Sequence, residues 1–260
     1  MPKIIASVII VLMVSAALRT AIAADEPTAT PYRPTVSTPA ALSEAGWLEL
    51  EAGGQQTSGG ASSRRESIPY TLKLAFTPDW GVRIGGEGWV RDLGMDGTRL
   101  SGFGDTAFIV KRRFALNDKA AFGLEGGVNF PTAKEGLGSE KANYLLTGIY
   151  SADLGEYHTD LNLSATRFGK SVPDEGRIQT GWAASLSRPL GNTWGVAGEF
   201  SGTYQKGIPS TAQFLAAVSY NYSKRVVFDA GVAAGLNRAS ADWSLFAGVT
   251  LLINKVHSPW

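Results

Sequence analysis

Between residues 211 and 253 apolar and polar side chains alternate in three segments of about eleven residues. Phe214, Ala216, Val218, Tyr220 and Tyr222 share one face in the first, against Gln213, Ala217, Ser219 and Asn221. Val226, Phe228, Ala230, Val232 and Ala234 do so in the second, and Trp243, Leu245, Ala247, Val249, Leu251 and Ile253 in the third. A period of two is the signature of strands. The same pattern predicts twelve strands in all, over 46–56, 67–77, 80–91, 103–114, 120–130, 143–153, 157–168, 177–188, 193–205, 211–222, 226–236 and 243–253.

The connections fall into two alternating classes. Short turns at 78–79, 115–119, 154–156, 189–192 and 223–225 are interleaved with longer polar loops at 57–66, 92–102, 131–142, 169–176, 206–210 and 237–242. Strands of this length match a tilted crossing of a bilayer, and the turn–loop alternation belongs to an all-β, transmembrane, antiparallel up-and-down β-barrel. Such a barrel puts its short turns in the periplasm and its loops outside, so an even strand count places both termini in the periplasm. Trp80, Phe114, Tyr157, Trp194 and Tyr222 flank the short turns, while Phe103, Phe130, Tyr144, Phe168, Tyr204 and Trp243 flank the loops, as two interfacial girdles would.

Ahead of the barrel, Lys3, the apolar run 4–18 and the small-x-small Ala21-Ile22-Ala23 read as a signal peptide over 1–23. Residues 24–44 carry Pro27, Pro31, Pro34 and Pro39 without hydrophobic period, and read as a flexible periplasmic tether rather than a folded plug. The barrel then occupies 45–260 and closes on an aromatic, Trp260.

Composition narrows the chemistry. A net charge of +1 argues against a nucleic-acid partner, and the lack of Cys removes disulfides, thiolate metal sites and a cysteine nucleophile. Many of the 31 glycines fall in strands, and the chain carries no phosphate-binding glycine loop. Neither a cofactor nor a metal site is predicted.

Several runs resemble one family: Gly102-Phe103-Gly104-Asp105-Thr106 followed by 109–114, Asn129-Phe130-Pro131-Thr132 leading to 136–139, Asp160-Leu161-Asn162-Leu163, Gly181-Trp182-Ala183, Phe228-Asp229-Ala230-Gly231 and 242–248. They are similar to bacterial outer-membrane barrels labelled phenol-degradation (meta-pathway) proteins, or simply transporters. The resemblance implies an outer-membrane barrel that passes small organic, aromatic or hydrophobic solutes. Its partners would be outer-membrane lipids, the barrel-assembly machinery and the solute. It brings no catalytic residues.

Polar residues of common parity form the candidate lumen lining: Glu49, Glu51, Lys73, Arg83, Glu87, Arg91, Asp105, Lys111, Arg113, Glu125, His158, Asp160, Glu199 and Asp229. A Lys or Arg facing lipid at the bilayer midplane costs about 2–4 kcal/mol, so this parity marks the inside. Arg112 breaks it beside a short turn, from where it can snorkel. Antiparallel pairing gathers Arg83, Glu87, Lys111, Arg113 and Glu125 into an opposed-charge ladder, serving either folding or selectivity. Two other readings stand beside the channel. One is a structural or surface-interaction barrel without a conducting lumen. The other is a lipid hydrolase, for which His158 and Ser164 share a face but lie roughly 20 Å apart along the strand.

Overall fold

The computed structural model describes residues 26–256, so the predicted signal peptide and Trp260 lie outside the described residues. Thirteen strands form one antiparallel sheet: β1 (Trp47–Ser58), β2 (Arg64–Ala75), β3 (Trp80–Leu93), β4 (Arg99–Gly102), β5 (Thr106–Asn117), β6 (Ala120–Phe130), β7 (Asn143–Leu154), β8 (Tyr157–Arg167), β9 (Ile178–Leu190), β10 (Trp194–Gln205), β11 (Ile208–Ser223), β12 (Val226–Gly235) and β13 (Trp243–Lys255). Apart from β4, each pairs with the next strand of the wall, and β1 closes the ring against β13. The short β4 pairs only with the end of β3, and β5 takes over as the partner of β3 below it. The wall is therefore a closed barrel of twelve strands, with β4 as a rim hairpin.

Closure satisfies the backbone without leaving an edge, and the side chains are sorted inside out. Ile84, Phe108, Leu124, Leu146, Leu163, Phe200, Val218 and Val232 are exposed on the outer wall. Glu49, Glu51, Lys73, Lys111, Glu125, Glu199 and Thr250 are buried within. A wall apolar outside and polar inside is the reverse of a soluble domain and suits a lipid surround. Trp80, Phe114, Tyr157, Trp194 and Tyr222 are exposed at the short-turn end, as are Phe103, Phe130, Tyr144, Tyr204 and Trp243 at the loop end. The Arg112 guanidinium lies over the Trp80 and Phe114 rings, at 4.9 and 5.2 Å from their centroids.

Three local differences from the expected pattern have clear causes. The predicted loop 92–102 carries a short strand of its own, because residues 94–98 fold back so that β4 pairs with β3, anchored by the Gly94 amide on the Thr98 carbonyl. The connection at 206–210 is a tight turn rather than a loop, since Gly207 adopts a φ of 83° and lets β11 start at Ile208. Register slips between the Ser67–Val90 and Pro69–Glu87 pairs, and this bulge in β3 reverses the alternation beyond it. Val90 is consequently fully buried and Arg91 is turned out of the barrel, with its side chain 59% exposed.

Candidate functional site

The lumen is occupied by the chain's own N-terminal segment. Residues 26–43 form no strand, yet Tyr32, Ser37, Ala40 and Ser43 are buried. This corrects the expectation of a flexible tether: the segment is a plug. Its proline-rich backbone makes no ladder, so its amide donors need acceptors from elsewhere, and the inward carboxylates of the wall supply them.

The segment passes the short-turn end where the Ala29 amide donates to the Lys224 carbonyl in the β11–β12 turn. The Thr30 amide donates to Glu49 at 2.8 Å and the Tyr32 amide to Glu51 at 2.6 Å. Lys73 pairs with both carboxylates and donates to the Thr30 carbonyl at 2.6 Å. Two ammonium groups lie over the Tyr32 ring, with Lys73 at 3.9 Å and Lys111 at 4.1 Å from its centroid. Its hydroxyl donates to the Ala41 carbonyl at 2.8 Å and accepts from Lys111 at 3.0 Å. Arg33 forks onto Asp229 at 3.2 and 3.1 Å. The Val36 amide, the Ser37 amide and the Ser37 hydroxyl all donate to Glu199, at 3.0, 2.7 and 2.6 Å. Thr38 exchanges bonds with the Asn162 amide group, and the Ala40 amide donates to the Ser151 hydroxyl, which in turn donates to Asp160.

Three glycines make room for this. Gly53 and Gly248 face each other across β1 and β13, and a Cβ on either would meet the Arg33 guanidinium at 2.7 or 2.6 Å. Gly123 similarly admits Ala40, whose Cα would lie 3.2 Å from an added Cβ.

The predicted lining thus separates into groups. Glu49, Glu51, Lys73, Lys111, Asp160, Glu199 and Asp229 hold the plug or support its holders. The opposed-charge ladder is divided. Arg83 and Lys111 meet Glu125 at 2.8 and 3.4 Å, whereas Glu87 accepts from Arg65 at 2.6 Å and Arg113 turns to Asp79 at 3.7 Å. His158 lies between Asp153 at 2.6 Å and Asp160 at 3.2 Å. Arg91, expected inside, is outside for the reason given above. Asp105, expected on the lining, instead ties down the 131–142 loop by accepting from the Ser139 amide and hydroxyl, the Ala133 amide and the Asn129 side chain. Desolvation pushes its carboxyl up, but these donors outweigh it and leave the group below the usual carboxylate range.

Sequence reasoning missed Tyr32, Arg33, Ser37, Ser151 and Asn162. Their one visible signal was an excess of inward carboxylates with no partner on neighbouring strands.

The plug divides the lumen in two. An outer chamber of about 380 Å³ has Val36 and Thr38 of the plug on one side, Arg83 and Glu125 on another, and a run of Thr147, Ser164, Ser201, Thr203, Thr211 and Gln213 on the facing wall. An inner vestibule of about 440 Å³ lies beneath Thr30, Arg33, Pro39 and Ala41, and takes in His158, Asp160 and Ser187. The two share no lining residue. Ser164 and His158 therefore open into different cavities. Among the described residues no cluster of His, Cys, Asp and Glu could hold a metal ion. Arg83 Nε is buried and has no protein acceptor among the described residues.

No protein-family model matches the sequence, and no curated protein matches it. Solved structures share the fold. The barrel is similar to an outer membrane channel from Pseudomonas putida F1, with 14% identity, a TM-score of 0.64, and coverage of 89% of this chain and 99% of that one. It is also similar to the NanC porin, at 10% identity and a TM-score of 0.60 over 78% of this chain and 98% of that one. The CymD monoaromatic hydrocarbon channel aligns at 10% identity and a TM-score of 0.50 over 82% and 90%.

Proposed function

We propose that the protein resides in the bacterial outer membrane and passes small organic solutes through a lumen gated by its own N-terminal segment. The observation that carries this is the pair of cavities on either side of a seated plug, inside a wall that is apolar only on its outer face. A cavity of about 150 Å³ is enough to hold benzene, so the outer chamber of about 380 Å³ has room for a compound of one or two rings. Its hydroxyl- and amide-rich wall favours solutes with a few hydrogen-bonding groups. Similar barrels that include a porin and a monoaromatic hydrocarbon channel support the same class. In this reading the short turns, the plug entrance and both termini face the periplasm, and assembly uses the outer-membrane barrel machinery.

The plug's many buried bonds also favour a second reading, a sealed barrel with a structural or surface role. Planar-bilayer conductance and liposome uptake of small phenols decide between them. The full chain should pass little current, and deletion of residues 30–41 should open steady channels and admit phenols. A deletion variant that folds but stays silent would sink the channel reading.

A further inference from the structure

The bulge in β3 that turns Arg91 outward also builds a cationic recess on the outer wall. Cross-strand register sets two adjacent outward rows there. Gln56, Glu66, Arg91 and Ser101 form one across β1 to β4, and Ser58, Arg64, Leu93 and Arg99 form the next toward the loop end. Their face is the lipid-side one, since Glu49 and Glu51, of opposite parity on β1, hold the plug. Arg64, Arg91 and Arg99 border a recess of about 220 Å³ together with Glu66, Asp92 and Leu93. Among the described residues Glu66 is the sole carboxylate paired with them, lying 2.5 Å from Arg64 and 3.9 Å from Arg91, because Asp92 is turned to Arg65 at 3.6 Å. The Arg64 and Arg91 side chains stay more than half exposed.

The recess continues, through Glu66, into an apolar groove of about 990 Å³ that crosses the outer wall. Trp89 borders it, Gly54, Ala230 and Ala247 leave its floor shallow, and Val232 and Leu245 line it. Ser58 pairs with the girdle residue Trp243, so these guanidinium groups sit at headgroup depth, where they meet lipid phosphates and their planar fork matches a phosphate's oxygens. An apolar groove leading directly from the cations asks for the hydrocarbon of the same molecule.

We infer that this wall binds a phosphorylated, multiply acylated glycolipid of the surrounding leaflet, with phosphate on Arg64, Arg91 and Arg99 and an acyl chain in the groove under Trp89. This rests on the outer-membrane reading but not on conduction.

Full-length protein in detergent can be titrated with diphosphorylated lipid A, dephosphorylated lipid A and inorganic phosphate, with bound lipid read by native mass spectrometry. The diphosphorylated lipid should stay bound. Its affinity should fall about five-fold for Arg99→Gln, and on the order of a hundred-fold for Arg64→Gln/Arg91→Gln/Arg99→Gln, at about one surface-cation increment per arginine. Equal retention by the parent and the triple variant, or equal binding of the dephosphorylated lipid, would overturn the site. Saturation by inorganic phosphate at the same concentration would make it a free-anion site and overturn the lipid assignment. Arg99→Gln on the rim hairpin serves where the triple variant does not fold. Conductance of the residue 30–41 deletion is read separately, so failure of the channel reading leaves this result interpretable.

Discussion

Lys73 shows how much one interior residue can carry. Its ammonium compensates Glu49 and Glu51, both almost wholly buried, and also satisfies the Thr30 carbonyl. Lys73→Met would leave two buried carboxylates side by side without their counter-charge, and losing one partner of a buried pair costs about 3–5 kcal/mol. Urea unfolding of the variant in detergent should show that loss. Asp105 makes the corresponding case at the rim. Its carboxyl sits below its ordinary range when folded, so the loosened loop takes up a proton first, and the loop's anchorage holds above the unfolded value of about 4 and fades as pH falls through the lowered folded value. Protection of the Ser139 amide from hydrogen exchange, taken relative to the intrinsic rate at each pH, should therefore fall in acid, and Asp105→Asn should abolish that dependence.

Among the elements, the plug was the least legible in sequence. A strand announces itself because its ladder imposes a period of two, but the plug borrows its partners one at a time from seven strands and imposes no period. Proline spacing without apolar periodicity suits a free tether equally well, and only the wall distinguishes the two. Gly53 and Gly248 read simply as wall glycines, although together they form the slot for Arg33. Arg33→Gln should break the fork, free Asp229 and raise single-channel open probability relative to the parent, while the heat-modifiable gel mobility of the closed barrel is kept. Unchanged conductance would show that the Arg33 fork does not hold the plug. Parity likewise predicted the inward set through most of the chain and failed for Arg91, because a bulge adds one residue with no mark in the local alternation.

At the scale of the whole molecule the question is whether solute passage requires the plug to move. The chain lacks cysteine, so a single engineered disulfide can answer it. The Ala40 amide and the Ser151 hydroxyl lie 2.7 Å apart, which makes Ala40→Cys/Ser151→Cys a close pair. Oxidation should suppress phenol uptake into liposomes, and reduction should restore it to the level of the reduced variant. Equal uptake in both states would mean that solutes pass a stationary plug.

Strand number, the antiparallel barrel and which face is apolar were written in the local alternation, because a ladder between sequence neighbours depends on residues close along the chain. The plug, the two chambers and the outer cationic recess were decided by the tertiary structure. Each joins groups far apart in sequence, such as Ser37 with Glu199, or depends on a register that only the closed ring sets. The sequence held the carboxylates, and ring closure determined that the chain's own amides would meet them.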